Sequence, residues 1–231
     1  PSAGLTISDG QGIGTILDDD AQVSFSINDV TVHEADGTIT FTVTKAGATA
    51  LASSVDYTVN PNTAGTPGDY TAGTSALAGT LNFAAGVTTQ TITLNITDDY
   101  VYEPTETFYV NLSNPVAANI SDAQGIGTIL DDDAKPAFSI NDMTVNEADG
   151  TITFTVTKTG ATALASSVDY TVNPNTAVTP GDYTAGTSAL TGILNFAAGV
   201  TTQTITLNIT DDMVYEPTET FTVDLSNAVE A

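Results

Sequence analysis

The segment TITLNITDDYVYEPTETFYVNL, residues 91–112, decides the fold. Apolar and polar residues alternate in Thr91–Ile96 and again in Phe108–Leu112, on either side of a turn. Such alternation is typical of β-strands that bury one face. The turn holds four carboxylates, from Asp98, Asp99, Glu103 and Glu106. The segment therefore predicts two antiparallel strands joined by an acidic turn that contains no lysine or arginine.

The same alternation continues through the rest of the chain. Short runs rich in Thr, Val, Ile, Tyr and Phe are separated by turn sequences such as Asp36-Gly37 and Pro67-Gly68-Asp69. No segment has helical periodicity. Seven or so strands in about 110 residues, each with one apolar face, are typical of a β-sandwich. We predict an all-β protein with two tandem immunoglobulin-like antiparallel β-sandwiches.

The chain contains an internal duplication. Residues 22–118 and 135–231 align without a gap and differ at fourteen positions. A second pattern, ISDGQGIGTILDDD at residues 7–20, recurs as ISDAQGIGTILDDD at residues 120–133. The second copy of the long repeat reaches Ala231 before this pattern returns.

This phase predicts three parts. They are the last strand of a preceding repeat (1–20), a complete repeat (22–133) and a repeat that lacks its last strand (134–231). An unpaired sheet edge is a template for a strand from another molecule. Neighbouring copies of the chain are therefore expected partners, joined head-to-tail by strand complementation. The alternative is a longer array, in which the first strand completes a preceding repeat of its own chain.

Composition excludes several classes of function. The 231 residues include 3 Lys+Arg and 28 Asp+Glu, for a formal net charge of -25. Nucleic acids and anionic membranes need basic residues, so neither is an expected partner. No apolar run is long enough to insert into a bilayer. Disulfides are excluded because there is no cysteine, and the only histidine, His33, is Asn146 in the second copy. No Ser/His/Asp set can serve both copies, and we predict that the chain is not an enzyme.

The clustered acids predict a metal site. The end of one antiparallel strand and the start of the next lie at the same pole of a sandwich, which brings the acids of the turn together. In a Greek-key topology the trio Asp131–Asp133 could join them. Two like charges 4 Å apart repel by about 1 kcal/mol in bulk water and by about 4 kcal/mol at an effective dielectric of 20. Calcium takes six to eight oxygen ligands, whereas zinc prefers nitrogen and sulfur. We therefore predict Ca²⁺ as the cofactor.

Three motifs resemble those of the Calx-beta domain. They are Gly-Asp-Tyr at residues 68–70, ITDDYVYEPTETF at residues 96–108 and GTILDDD at residues 127–133, in the order and spacing of that family. The resemblance covers essentially the whole chain. The family is named for the calcium-binding segments of sodium–calcium exchangers and is abundant in large bacterial surface proteins. The resemblance implies calcium ions at one pole of each sandwich.

The resemblance also implies the ligands. In the complete repeat they are Glu34 from the first edge strand, Asp69, Asp98, Asp99, the main-chain carbonyl of Val101, Glu103, Glu106, Asp131, Asp132 and Asp133. In the second repeat they are Glu147, Asp182, Asp211, Asp212, Val214, Glu216 and Glu219. Asp18, Asp19 and Asp20 are the equivalent trio for a preceding repeat. Tyr100 and Met213 depart from the exchanger pattern, where a third Asp can stand.

Two classes of function remain open. The first is a non-catalytic structural module of an extracellular fibre or adhesin at a bacterial surface, rigidified by calcium at its poles and junctions. The alternative is an adhesion domain that recognises a carbohydrate or protein ligand. Near-identical repeats favour the first, because arrays that set length retain duplications. The chain is also rich in threonine and glycine, with few large exposed groups, so it has no obvious binding hot spot.

Overall fold

The computed structural model describes residues 4–230, and residues 1–3 of the predicted tail strand lie outside this range. The described chain is almost entirely β-structure. Its strands are β1 (Ser24–Ile27), β2 (Val30–His33), β3 (Thr38–Ala46), β4 (Ser53–Pro61), β5 (Tyr70–Ala72), β6 (Ala78–Phe83), β7 (Thr89–Ile96), β8 (Glu106–Val116), β9 (Asn119–Ile120), β10 (Gln124–Leu130), β11 (Ala137–Ile140), β12 (Thr151–Thr159), β13 (Ser166–Pro174), β14 (Tyr183–Ala185), β15 (Thr191–Phe196), β16 (Thr202–Ile209) and β17 (Phe221–Glu230). Two 3₁₀ turns cover Glu34–Asp36 and Glu147–Asp149. No helix in this range has the length and apolar character of a membrane span.

The first repeat forms two five-stranded sheets. Their strand orders are β5-β7-β3-β1-β9 and β2-β10-β8-β4-β6. Alternation places every second side chain of a strand on the buried face. In β3, Ile39, Phe41 and Val43 are buried while the intervening threonines point away from the core. The pairings of β3 with β1 and β7, and of β4 with β6 and β8, are antiparallel, whereas β1 pairs with β9 in a short parallel ladder.

Aromatic rings join the two sheets of this repeat. Phe25 on β1 and Phe83 on β6 have ring centroids 4.9 Å apart. Tyr70 on β5 stacks on Phe108 of β8 at 4.3 Å. Because these pairs link strands of different sheets, the two sheets pack face to face around one core.

The second repeat forms a smaller sandwich. Its sheets have the orders β11-β12-β16-β14 and β15-β13-β17. Phe138 and Phe196 connect the two sheets with ring centroids 5.0 Å apart, as do Tyr183 and Phe221 at 4.4 Å. The prediction of two tandem antiparallel β-sandwiches is confirmed.

The two repeats differ in one sheet. In the first repeat, β10 lies between β2 and β8. In the second, β17 corresponds to β8, and it is an edge strand of its sheet in the described chain. Residues 143–146, which correspond to β2, have no strand pairing. The predicted tail strand is likewise unpaired, since residues 4–20 form no strand.

Two of the three lysines are buried. Lys45 and Lys158 occupy inward positions of β3 and β12, and each is only 2% exposed. The Lys45 Nζ donates a hydrogen bond to the Leu51 carbonyl at 2.6 Å, and the Lys158 Nζ donates to the Leu164 carbonyl at 3.0 Å. The aliphatic stem of each lysine thus fills core volume while its ammonium group reaches a backbone acceptor.

The chain has two compact units. The second unit comprises residues 129–231 together with segments 32–37 and 96–106 of the first repeat. The tail and the remainder of the first repeat form the first unit. The three segments of the first repeat that belong to the second unit, 32–37, 96–106 and 129–133, carry most of its predicted metal ligands.

Candidate metal centre

Glu34 lies in a 3₁₀ turn rather than in the edge strand that the sequence predicted. The turn follows β2 and ends at Gly37, whose φ of 69° is left-handed and is readily adopted by glycine. The Asp36 Oδ2 accepts the His33 N–H at 2.8 Å and shapes the turn. The sequence interpretation did not identify Asp36, although an Asp-Gly pair after a strand is a turn signal. The Gly37 carbonyl accepts the Ile96 N–H at 3.0 Å, so the turn lies beside the end of β7.

The acids of three segments meet beside this turn. One group consists of Glu34, Asp99 and Asp133, and a second consists of Glu34, Asp98 and Asp132. In each group, one carboxylate oxygen from every member lies within 4.8 Å of the others. The terminal trio therefore joins the acidic turn, which the sequence had left dependent on topology.

Hydrogen bonds from backbone N–H groups to side-chain carboxylates hold the segments together. The Asp131 Oδ2 accepts the Glu103 N–H at 3.1 Å, and its Oδ1 accepts the Asp133 N–H at 3.0 Å. The Asp99 Oδ1 accepts the Val101 N–H at 2.7 Å. Asp131 thus connects the end of β10 to the acidic turn, while Asp99 closes the turn itself.

Burial and like charge act on the same carboxyl groups. Glu34 is only 6% exposed. Burial raises its pKa to about 7, and nearby carboxylates add to this, in the order Glu103, Asp131, Asp99 and Asp132. Burial, followed by its acidic neighbours, also raises the pKa of Asp133. The Asp133 Oδ2 is buried and has no hydrogen-bond donor among the described residues. A buried carboxylate oxygen without a donor is costly, and a cation would offset that cost.

A further group of acids recurs in both repeats. In the second repeat, Asp182, Glu216 and Glu219 each place one carboxylate oxygen within 4.8 Å of the others. Burial and the adjacent Asp182 raise the pKa of Glu219. The Asp182 Oδ2 also accepts the Val178 N–H at 2.6 Å, which fixes the loop before β14. The corresponding acids of the first repeat, Asp69, Glu103 and Glu106, form a group of the same kind.

The remaining predicted ligands are not in these groups. Glu147, Asp211 and Asp212 join no group among the residues that the structure describes, and Glu147 is exposed whereas its counterpart Glu34 is buried. The trio Asp18–Asp20 is exposed on the tail. The carbonyls of Val101 and Val214 stay predictions of the resemblance. The second repeat therefore has one of the acid groups of the first repeat.

One known protein family matches nearly the whole chain. The sequence matches the Calx-beta domain family over residues 17–133 and again over residues 130–231. The chain belongs to the Calx-beta family. The predicted resemblance is confirmed, and both sandwiches of this Calx-beta chain lie within the matched ranges.

Relatives of this Calx-beta chain include matrix and exchanger proteins. The mouse (Mus musculus) extracellular matrix organizing protein FRAS1 is 29% identical over 224 residues, which are 89% of this chain and 5% of that protein. The Drosophila melanogaster sodium/calcium exchanger Calx is 28% identical over 212 residues, 90% of this chain and 22% of that protein. A crystal structure of CBD12 from CALX1.2 is 25% identical, covers 90% of this chain and 82% of that one, and has a TM-score of 0.46. The chain thus spans a small part of FRAS1 and of the exchanger Calx.

Proposed function

We propose that this chain is a non-catalytic, calcium-binding structural module of an extracellular fibre or adhesin. The buried Asp133 Oδ2 carries the proposal, because it has no hydrogen-bond donor among the described residues and lies in a group of carboxylates. The two buried lysines, Lys45 and Lys158, each donate a hydrogen bond to a backbone carbonyl of their own repeat. A bound cation is the simplest way to stabilise such a group of negative charges.

The side-chain ligand atoms of these groups fit calcium. Each of them is a carboxylate oxygen, which is the ligand type of a hard divalent cation. Calcium–oxygen distances of about 2.3–2.6 Å place ligands on opposite sides of one ion about 4.6–5.2 Å apart. The oxygens of each group lie within 4.8 Å of one another, which is close enough for one ion to contact all three. Glu34 belongs to two groups and would bridge two ions.

The extracellular structural role draws support from the relatives and the repeats. FRAS1 is named an extracellular matrix organizing protein. The near-identity of residues 22–118 and 135–231 is typical of arrays in which copies set length. Attachment to a bacterial surface and recognition of a surface ligand stay predictions.

Calcium titration of the full chain tests the proposal. We expect saturable heat of binding in calorimetry, and a melting temperature that rises with calcium and falls in EDTA, because a ligand of the folded state stabilises it by mass action. Asp99→Asn should weaken binding strongly while keeping the acceptor for the Val101 N–H. Asp122→Asn is the matched control, since it removes one exposed charge outside the acid groups and keeps the acceptor for the Gln124 N–H. Equal calcium affinity in both variants, or a melt that ignores EDTA, would refute the assignment.

A further inference from the structure

The second repeat has an open groove of about 810 Å³ beside β17. Residues 140–147 line one side, and Phe221 and Val223 of β17 line the other. Phe138, Ile140, Phe221 and Val223 pack against the core of this repeat but remain partly exposed. The groove therefore leaves apolar side chains of the core accessible along the free edge of β17, whose other edge pairs with β13.

The first repeat fills the equivalent position with β10. Phe108, the counterpart of Phe221, is 0% exposed, and Ile27, the counterpart of Ile140, is 4% exposed. Ile129 of β10 points into this core and is 2% exposed. Because the two repeats are almost identical in sequence here, the presence of β10 accounts for the difference in burial.

The tail carries a second copy of the β10 sequence. Residues 7–20 and 120–133 differ at one position, Gly10 against Ala123. The tail nevertheless exposes its apolar residues, with Ile13 at 87% and Ile16 at 98%. An exposed apolar segment that has the sequence of a buried strand is expected to bind a complementary surface.

The two ends of the tail segment already have the local turns of its buried copy. The Gln11 N–H donates to the Asp9 Oδ1 at 3.0 Å, as the Gln124 N–H donates to Asp122 at 3.3 Å. The Asp20 N–H donates to the Asp18 Oδ1 at 3.1 Å, which matches the 3.0 Å bond from Asp133 to Asp131. The two ends of the segment therefore have the same turns in the tail and in its buried copy. This similarity lowers the conformational entropy that the tail loses on docking.

We propose that residues 6–20 of one copy dock in the groove of the second repeat of another copy. The backbone of the tail would pair with β17 and with residues 143–146, as β10 lies between β8 and β2. In the first repeat the Asp29 Oδ1 accepts the Ile126 N–H at 2.7 Å. Asp142 lines the groove at the equivalent position and would accept the Ile13 N–H.

A glycine lets β10 pack closely against the Phe108 ring. A Cβ atom on Gly127 would lie 2.6 Å from the Phe108 ring, so that position of β10 accepts only glycine without displacing the ring. Gly14 is its copy in the tail, where a Cβ would meet nothing within 4 Å. A larger side chain at Gly14 would therefore leave the free chain unaffected and would collide with Phe221 on docking.

Docking would also complete the acid groups of the second repeat. The trio Asp18–Asp20 would take the place that Asp131–Asp133 occupies in the first repeat, beside Glu147 and Glu216. The described chain offers one exposed β10-like segment and one such groove, so each copy can donate once and accept once. A contact between different surfaces that does not close produces an open chain of copies. This is the argument for a second copy as the occupant.

Sedimentation velocity of the full chain in calcium tests the proposal. The wild type should associate as its concentration rises from the low to the high micromolar range. Gly14→Val should lose this association while its circular dichroism spectrum stays unchanged, and its melting temperature should equal that of the wild type at a concentration where the wild type is monomeric. Gly10→Ala is the matched control, because it gives the tail the alanine that β10 carries at position 123, and it should associate like the wild type. A synthetic peptide of residues 4–20 should cap the assemblies and bind the groove one to one.

Three results would overturn the proposal. The first is association of Gly14→Val equal to that of the wild type. The second is a wild type that stays monomeric even though the peptide binds, since the groove would then take a strand of its own chain or of a longer array. The third is a monomeric wild type that does not bind the peptide. Repeating the series in EDTA separates main-chain docking from calcium binding, because pairing of the backbone needs no ion.

Discussion

Ile129→Ala and Ile16→Ala place one substitution in two copies of the same sequence. Ile129 is 2% exposed in β10, whereas Ile16 is 98% exposed in the tail. The change removes three carbons, which at about 0.8 kcal/mol each corresponds to about 2.4 kcal/mol of lost burial. The cavity left at Ile129 raises this to about 3–4 kcal/mol, within the range for Ile→Ala in cores. Ile16→Ala should change the free energy of unfolding by less than about 0.5 kcal/mol.

Both variants are best measured in the Gly14→Val background, where the tail is not expected to dock. Scanning calorimetry and urea denaturation at fixed calcium then report the first repeat. For a sandwich of this size, the loss at Ile129 lowers the melting temperature by roughly 10–15 °C. Equal shifts for the two variants, or a larger one for Ile16→Ala, would refute the assignment of residues 124–130 as the strand that completes the first sandwich.

Three further predictions follow from the same structure. In EDTA, the first repeat should become more stable as the pH falls from 7 towards 4.5, because Glu34 has a pKa of about 7 when folded and 4.5 as its ordinary value, so the folded state binds the proton first. Glu34→Gln should reduce this pH dependence of the melting temperature, and the raised pKa of Asp133 accounts for a remaining part. Gly127→Val should destabilise the first repeat by about 1–3 kcal/mol in urea titrations, because its side chain meets the Phe108 ring, while Gly14→Val changes nothing. Phe108→Leu should lower the melting temperature more than Phe221→Leu does, since Phe108 is fully buried and Phe221 is only partly buried; equal effects would contradict the open groove.

Local sequence predicted the strands well, because long strands such as β3 bury every second residue. Ile39, Phe41 and Val43 alternate with threonine and are all fully buried. The same rule applied to Lys45 places it inward, although a lysine is rarely found there. Its burial depends on the Leu51 carbonyl, which is six residues away in sequence and reaches the Nζ only in the folded loop.

The acid groups were predictable in membership but not in completeness. Asp98 and Asp99 lie in one acidic turn, as strand connectivity suggests, whereas their meeting with Asp132 and Asp133 depends on the sheet topology. Local sequence could not separate Glu34 from Glu147, because both stand in the sequence EADGTITF. Glu34 is buried and Glu147 is exposed, and the first repeat alone has its trio in place. The environment of these glutamates is set by a strand about a hundred residues away in sequence, which only the three-dimensional structure reveals.

The burial of two lysines makes the chain a selective target for amine-reactive labels. Lys135 is the single exposed lysine, so a brief acylation should modify one side chain, beside the connection between the repeats. Lys45 and Lys158 react only when their sandwich opens, and the masses of the peptides from a protease that cleaves after glutamate tell them apart. Timed acylation therefore reads the opening rate of each repeat separately in one sample. Occupation of the groove should slow the labelling of Lys158 and leave that of Lys45 unchanged.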